Sequence, residues 1–282
     1  MSIARHSLYY GMSQGANMAH AFLTSMIVAV YLGPELRGIF VAALLVDTLA
    51  TRITSLGIGS AMSYFGGNKE AMLARVHTLG IFWIGLIMLI NLILAVTAGP
   101  FLWHSIFKEI PLAYLLAVFT CLPFSFYIII TINLMIGLGR IPTLSRYVFY
   151  KIFLQNLLTV IGLIWLDWSV KELIVVWVAG QVLGAVVGYG LLHRCDRLWE
   201  RIAPAEIIRQ LRTMIGYGFK VYTGSMADVV IGRFDQLFVL SFIGPIGVGI
   251  YSLSVKLSHL IYQAALSLSS SAYPVIRRAD SR

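Results

Sequence analysis

The sequence predicts an all-α, polytopic membrane helix bundle, and three observations carry that prediction. Of the 282 residues 59% are hydrophobic and only 12% charged, with a mean hydropathy of +0.85, too little polar surface to cover a soluble globule. Apolar runs reach the roughly 20 residues that cross a bilayer core. The opening hairpin also recurs 211 positions later: Tyr31-Leu32-Gly33-Pro34 with Gly38-Ile39-Phe40 returns as Phe242-Ile243-Gly244-Pro245 with Gly249-Ile250-Tyr251. In each copy an apolar stretch runs into a Gly-Pro turn and a glycine four residues after the proline opens a second stretch, the spacing of two membrane helices joined tightly.

Taken in order, eight helices are predicted, at 13–32, 38–58, 78–98, 111–136, 147–166, 172–192, 214–243 and 248–273. Pro123 interrupts the fourth, because it lacks an amide hydrogen and its ring clashes with the preceding turn. Gly57-Ile58-Gly59 and Gly137-Leu138-Gly139 have no strand before them, so they are breaks or turns rather than phosphate loops. Residues 1–192 make an N-terminal lobe of six helices. The stretch 193–213 is an amphipathic cytoplasmic linker, with Leu198, Ile202, Ile207 and Leu211 at helical spacing among mixed charges, expected at the membrane interface. Residues 214–282 supply the first two helices of a second lobe. Six is even, so the lobes enter the membrane in the same sense, as a parallel repeat whose halves can rock.

The net charge of +9 reads as topology. Fourteen Lys and Arg fall on segments of one side, while the other carries only Arg37, Lys108 and Lys171, which places both termini in the cytoplasm. No basic stripe lies outside that pattern, so no nucleic-acid partner is expected. Cys121 and Cys195 fall in different environments and imply neither a disulfide nor a metal site. No cofactor motif is present.

Polar residues within the spans mark the helices that meet water. Ser13, Asn17, His20 and Thr24 recur at steps of four, three and four on the first helix; Ser252, Gln263, Ser267 and Ser270 fall within about 40° of Lys256 on the eighth. The third and sixth helices have only Asn91 and Gln181. The first, second, seventh and eighth helices are therefore expected to enclose a cavity between the lobes. Ionisable groups inside a membrane usually face a cavity or a partner, and here they are Asp47, Arg52, Lys220, Asp228, Arg233, Asp235 and Lys256. Counting inward from the turns puts Asp47, Arg233, Asp235 and Lys256 near the midplane and Arg52 deeper. Four cations against three carboxylates leave one positive charge, suited to an anionic group. The candidate substrate-binding residues are Arg52, Lys256, Arg233, Asn17, His20 and Gln263. Asp47, Asp228 and Asp235 are either ion-coupling groups or plain counter-ions. His20 has no second ligand at metal spacing, so hydrogen bonding is expected of it.

The runs LGPELRGIFVAALLVDTLATRITSLGIGSAMSYF (Leu32 to Phe65) and YGFKVYTGSMADVVIGRFDQLFVLSFIGPIGVGIYSLSVKLSHL (Tyr217 to Leu260) resemble bacterial lipid-linked oligosaccharide flippases of the multidrug, oligosaccharidyl-lipid and polysaccharide exporter superfamily. Arg52 before Leu56-Gly57-Ile58-Gly59-Ser60, and Lys256 in the middle of the eighth helix, match basic cavity positions of the related lipid II flippases. The resemblance implies an alternating-access transporter, not an enzyme, that moves polyprenyl-pyrophosphate-linked O-antigen, capsule or exopolysaccharide precursors across the bacterial inner membrane. It implies as partners the lipid-linked oligosaccharide, membrane lipid, a polysaccharide polymerase and glycosyltransferases. A cation-coupled multidrug exporter is the alternative within transport. Family members carry 12 to 14 helices, so eight suggest a C-terminally truncated form, and an inactive remnant stays open.

Overall fold

Glycine-proline turns and apolar length dictate most of the architecture, and a computed structural model describes it over residues 3–66, 72–195, 198–229 and 233–258, with backbone alone for 3–14 and 225–229. Every regular element among these residues is a helix. α1 (Ile3–Thr54) is two helices joined at Gly33, and α2 (Ile58–Gly66) follows a break at Leu56 and Gly57, both at positive φ. α3 (Leu73–Thr97) leads to the short α4 (Gly99–Ser105). The predicted fourth helix is α5 (Leu112–Thr120) and α6 (Leu122–Gly137), separated at Cys121, with Pro123 in the first turn of α6 where no amide is needed. α7 (Ile141–Trp165), α8 (Val170–His193), α9 (Pro204–Val229), α10 (Asp235–Ile243) and α11 (245–258) complete the order.

Five of these helices are long and apolar enough to cross a membrane: Gly15–Thr54, Leu73–Thr97, Leu112–Gly137, Ile141–Trp165 and Val170–His193. The first is a reversal rather than one straight rod. Arg37 Nη2 lies 3.0 Å from Ser25 Oγ, whereas twelve residues of straight helix would hold their backbones ~18 Å apart. Gly33 makes that reversal at φ 73°, ψ 176°, a conformation essentially confined to glycine. Its counterpart 211 positions on, Gly244, adopts φ 87°, ψ −170°, so the sequence repeat is a repeat of backbone geometry.

The two turns meet. A Cβ on Gly38 would stand 1.8 Å from the carbonyl oxygen of Pro245, and one on Gly249 would stand 1.9 Å from that of Pro34. Since 34 and 245, and 38 and 249, are corresponding positions, the contact is reciprocal, as around a local two-fold axis. Behind it lies an apolar core drawn from α1, the 106–111 loop, α5, α8, α10 and α11, including Ala42, Ala43, Ile110, Val118, Leu240 and Val248.

A second core fills the opposite, arginine-rich end. It joins Ile58, Met62, Leu73, Trp83, Leu134 and Leu192 with Leu198, Leu211 and Met214. The apolar face of the 193–213 stretch packs on α2, α3, α6 and α8, and its second half is already α9, continuous with the predicted seventh span. Arg75 at the start of α3 fastens it, pairing with Glu206, approaching Glu200 to 3.7 Å and donating to Gln210 Oε1 at 3.0 Å; the backbone N–H of Glu200 donates to Thr78 Oγ1 at 3.1 Å. At this end α9 also meets the break after α1 backbone to backbone: a Cβ on Gly57 would lie 2.1 Å from Gly218 O, and the Tyr222 hydroxyl donates to Ile53 O at 2.7 Å.

Candidate functional site

Between the two cores α1 carries Asp47, Thr51 and Arg52, and these residues begin the candidate site. Arg52, in the last turn of the second arm of α1, is exposed. Arg233 is half-buried just before α10, and the charges that act on it are Arg52 and Asp235. Lys256, exposed on α11, lies within electrostatic reach of Arg37 and Arg233. Arg37, Lys256, Arg233 and Arg52 thus act on one another in series, two from α1 and two from residues 233–258. None of the four makes an ion pair with a carboxylate among the described residues. Like charges within electrostatic reach repel one another, and an anion among them relieves that repulsion.

Arg37 is the member that sequence reasoning missed. Counted there as one of three charges on an outward segment, it is 1% exposed, donating to the carbonyl of Gly249 and to Ser25 Oγ. Its burial follows from the reciprocal turn contact, which brings residue 249 over it. Two numbers alone could have hinted at this: Arg37 precedes the glycine of one turn, and that glycine recurs at 249.

The carboxylates separate into different environments. Asp235 Oδ2 accepts a hydrogen bond from the Tyr251 hydroxyl at 2.6 Å and its Oδ1 one from the Gln236 N–H at 2.6 Å, which ties α10 to α11. Asp47 turns the other way, into the first lobe, where Ser125 of α6 and Lys151 of α7 face it; its Oδ1 is buried with no hydrogen-bond partner. Lys151 in turn donates to Gln181 Oε1 at 3.1 Å. His20 of the first helix does the same. His20 Nδ1 lies 3.0 Å from Asn156 Nδ2 and its ring stacks on Phe153 of α7 at 5.1 Å, while Asn17 is buried with an unpaired Nδ2. His20 thus faces α7, for a polar stripe on a helix fixes a face and not what that face meets. The side chains of Asp228 and Gln263 lie outside the described residues. Among the described residues no group of three His, Cys, Asp or Glu is placed to hold a metal ion.

Over residues 3–279 the chain matches the family described as polysaccharide biosynthesis protein. The chain belongs to that family. No curated protein and no solved structure matches it. As a polysaccharide biosynthesis protein with five helices fit to cross a bilayer, it is a multi-pass membrane protein. Within its described residues, charged side chains lie between two apolar cores, and the two Gly-Pro turns are in tight contact at one end.

Proposed function

We propose that this protein translocates a polyprenyl-pyrophosphate-linked oligosaccharide across the bacterial cytoplasmic membrane by alternating access. The observation that carries the reading is the series Arg37, Lys256, Arg233 and Arg52, contributed by both lobes, none ion-paired to a carboxylate among the described residues although Asp235 acts on Arg233. A pyrophosphate bears the charge and the oxygen acceptors that such a series is built to receive, and guanidinium groups can grip it with two hydrogen bonds each. Arg52, exposed and nearest the basic end, meets the head group first, Arg233 and the exposed Lys256 follow, and Arg37 holds the closed turn end. The sugar follows through the layer between the cores while the lipid tail stays in the bilayer.

Alternating access supplies the motion. In the conformation described here the Gly38–Pro245 and Gly249–Pro34 contacts shut the turn end, and rocking of the lobes about the basic end would part them. An anion that bridges cations of both lobes favours whichever arrangement draws those lobes together, which is the differential affinity a ligand needs to shift the equilibrium. The charge bias puts the basic end in the cytoplasm, so loading occurs from that side. Asp47 in this reading is the counter-ion of Lys151, and Asp235 is the anchor of the α10–α11 turn.

The test is reconstitution in vesicles carrying a fluorescent polyprenyl-pyrophosphate oligosaccharide. Transfer of the label between leaflets, lost on Arg52→Ala and Lys256→Ala, is expected. Transport of cationic drugs with no movement of the lipid would overturn the proposal in favour of an exporter.

A further inference from the structure

A cavity of about 680 Å³ opens between α7 and α8, away from the charged series, with no described side chain of α1 or of α9–α11 in its lining. That volume lies within the range of sites that hold small molecules, ~300–1,000 Å³. Its walls are Leu154 and Leu158 of α7 and Leu183 and Val187 of α8, all exposed on the outer face of the bundle. Its floor exists because α8 has glycine where it crosses α7. A Cβ on Gly184 would stand 2.7 Å from Lys151 Cε, and one on Gly180 would stand 2.9 Å from Gln155 Oε1, so any larger residue would displace the side chains that line the bottom.

Charge is distributed along this groove in one direction. Arg140, Arg146 and Arg194 gather at one end, Lys151 lies further in, and among the described residues no Asp or Glu lines it. From Arg146 to Leu158 the helix rises ~18 Å, a little over half of a ~30 Å hydrocarbon core and the reach of one leaflet's acyl chain. Basic pockets between membrane helices on the positive side recognise anionic head groups. We propose that the groove holds one anionic glycerophospholipid of the surrounding bilayer, its phosphate at Arg146 and Arg194 and one acyl chain laid between α7 and α8. The occupant is a resident rather than the transported lipid, since the groove shares no residue with the charged series between the lobes. It also lies one side chain from Asp47: Lys151, which lines the groove, is the cation facing that carboxylate.

The full chain, purified in mild detergent, would be offered phosphatidylglycerol, phosphatidylethanolamine and undecaprenyl phosphate separately and in equimolar mixture, and the retained lipid weighed by native mass spectrometry. About one phosphatidylglycerol per chain, preferred roughly tenfold over phosphatidylethanolamine, is the expected result. Arg146→Gln with Arg194→Gln should bring that preference close to unity, and Ala179→Trp should fill the groove and abolish retention. All three positions are exposed, which spares folding. Equal retention of the two phospholipids, or retention unaffected by both variants, overturns the proposal. So does displacement of phosphatidylglycerol by equimolar undecaprenyl phosphate, which would make the groove part of the transport route.

Discussion

At the scale of single residues, two kinds of arginine can be told apart by what they touch. Arg52 and Lys256 are exposed and have no carboxylate partner among the described residues, so neutral substitution removes charge without stranding a buried group. Arg52→Ala and Lys256→Ala should keep near-normal membrane levels and lose lipid transfer, with Arg52→Lys partly active if charge matters more than a planar fork. Quantitative blotting beside a surface-polysaccharide assay checks this, and activity that falls only in step with protein level would refute it. Arg37 is the opposite case. Arg37→Ala leaves the carbonyl of Gly249 and the hydroxyl of Ser25 without their donor in a dry site, so a stability loss of about 1–3 kcal/mol is expected as a lowered Tm. Tyr251→Phe should likewise cost about 1.5–3 kcal/mol, the range for hydrogen bonds to charged groups, by freeing Asp235 Oδ2. Little of the difference between Arg52 and Arg37 was legible beforehand. Both are arginines on apolar helices, and what buries Arg37 is a backbone 212 residues away.

At the scale of elements, the glycines of the two turns act in pairs. Gly33→Ala and Gly244→Ala should each cost about 1–3 kcal/mol, because each backbone sits where a Cβ collides with its own chain. Gly38→Ala and Gly249→Ala meet a different obstacle, the carbonyl of the other turn, and should weaken the contact between lobes while leaving each hairpin intact. Thermal unfolding in detergent separates the two classes from a control: Gly85→Ala, inside α3 with open space beside it, should be neutral or stabilising by up to about 1 kcal/mol. The turns were readable in the sequence because a Gly-Pro turn is local. The destination of a stripe was not. Ser13, Asn17, His20 and Thr24 announce a polar face through spacing alone, but whether α7 or a cavity receives it depends on helix rotation, which packing sets. The amphipathic pattern from Leu198 to Leu211 has the same ambiguity, since a bilayer surface and a helix bundle both accept an apolar face.

For the whole molecule, orientation and motion are the testable quantities. A cysteine introduced at the exposed Glu35 should react with an impermeant reagent applied outside cells, while an exposed position on the basic end, such as Arg209, should be labelled only after permeabilisation. Reversed labelling would invert the proposed direction of loading. Cysteines at Glu35 and Ile246 occupy corresponding exposed places beside the turn contact, so a short bifunctional thiol reagent joining them should hold the turn end shut and stop transfer until it is cleaved. Continued transfer through the cross-linked protein would show that the lobes need not part there. The fold class and the repeat were legible at this scale, because hydropathy and a 211-residue period survive any rotation of individual helices.

The reciprocity of the turn contact bears on ancestry. Each half offers the other a proline carbonyl and receives it on a glycine, at the same two places in its own sequence. Two identical, separate chains placed about a two-fold axis make such a seam automatically, with no residue changed. Joining two such units into one polypeptide would therefore leave the seam intact, and the halves can differ elsewhere as long as these four positions are kept.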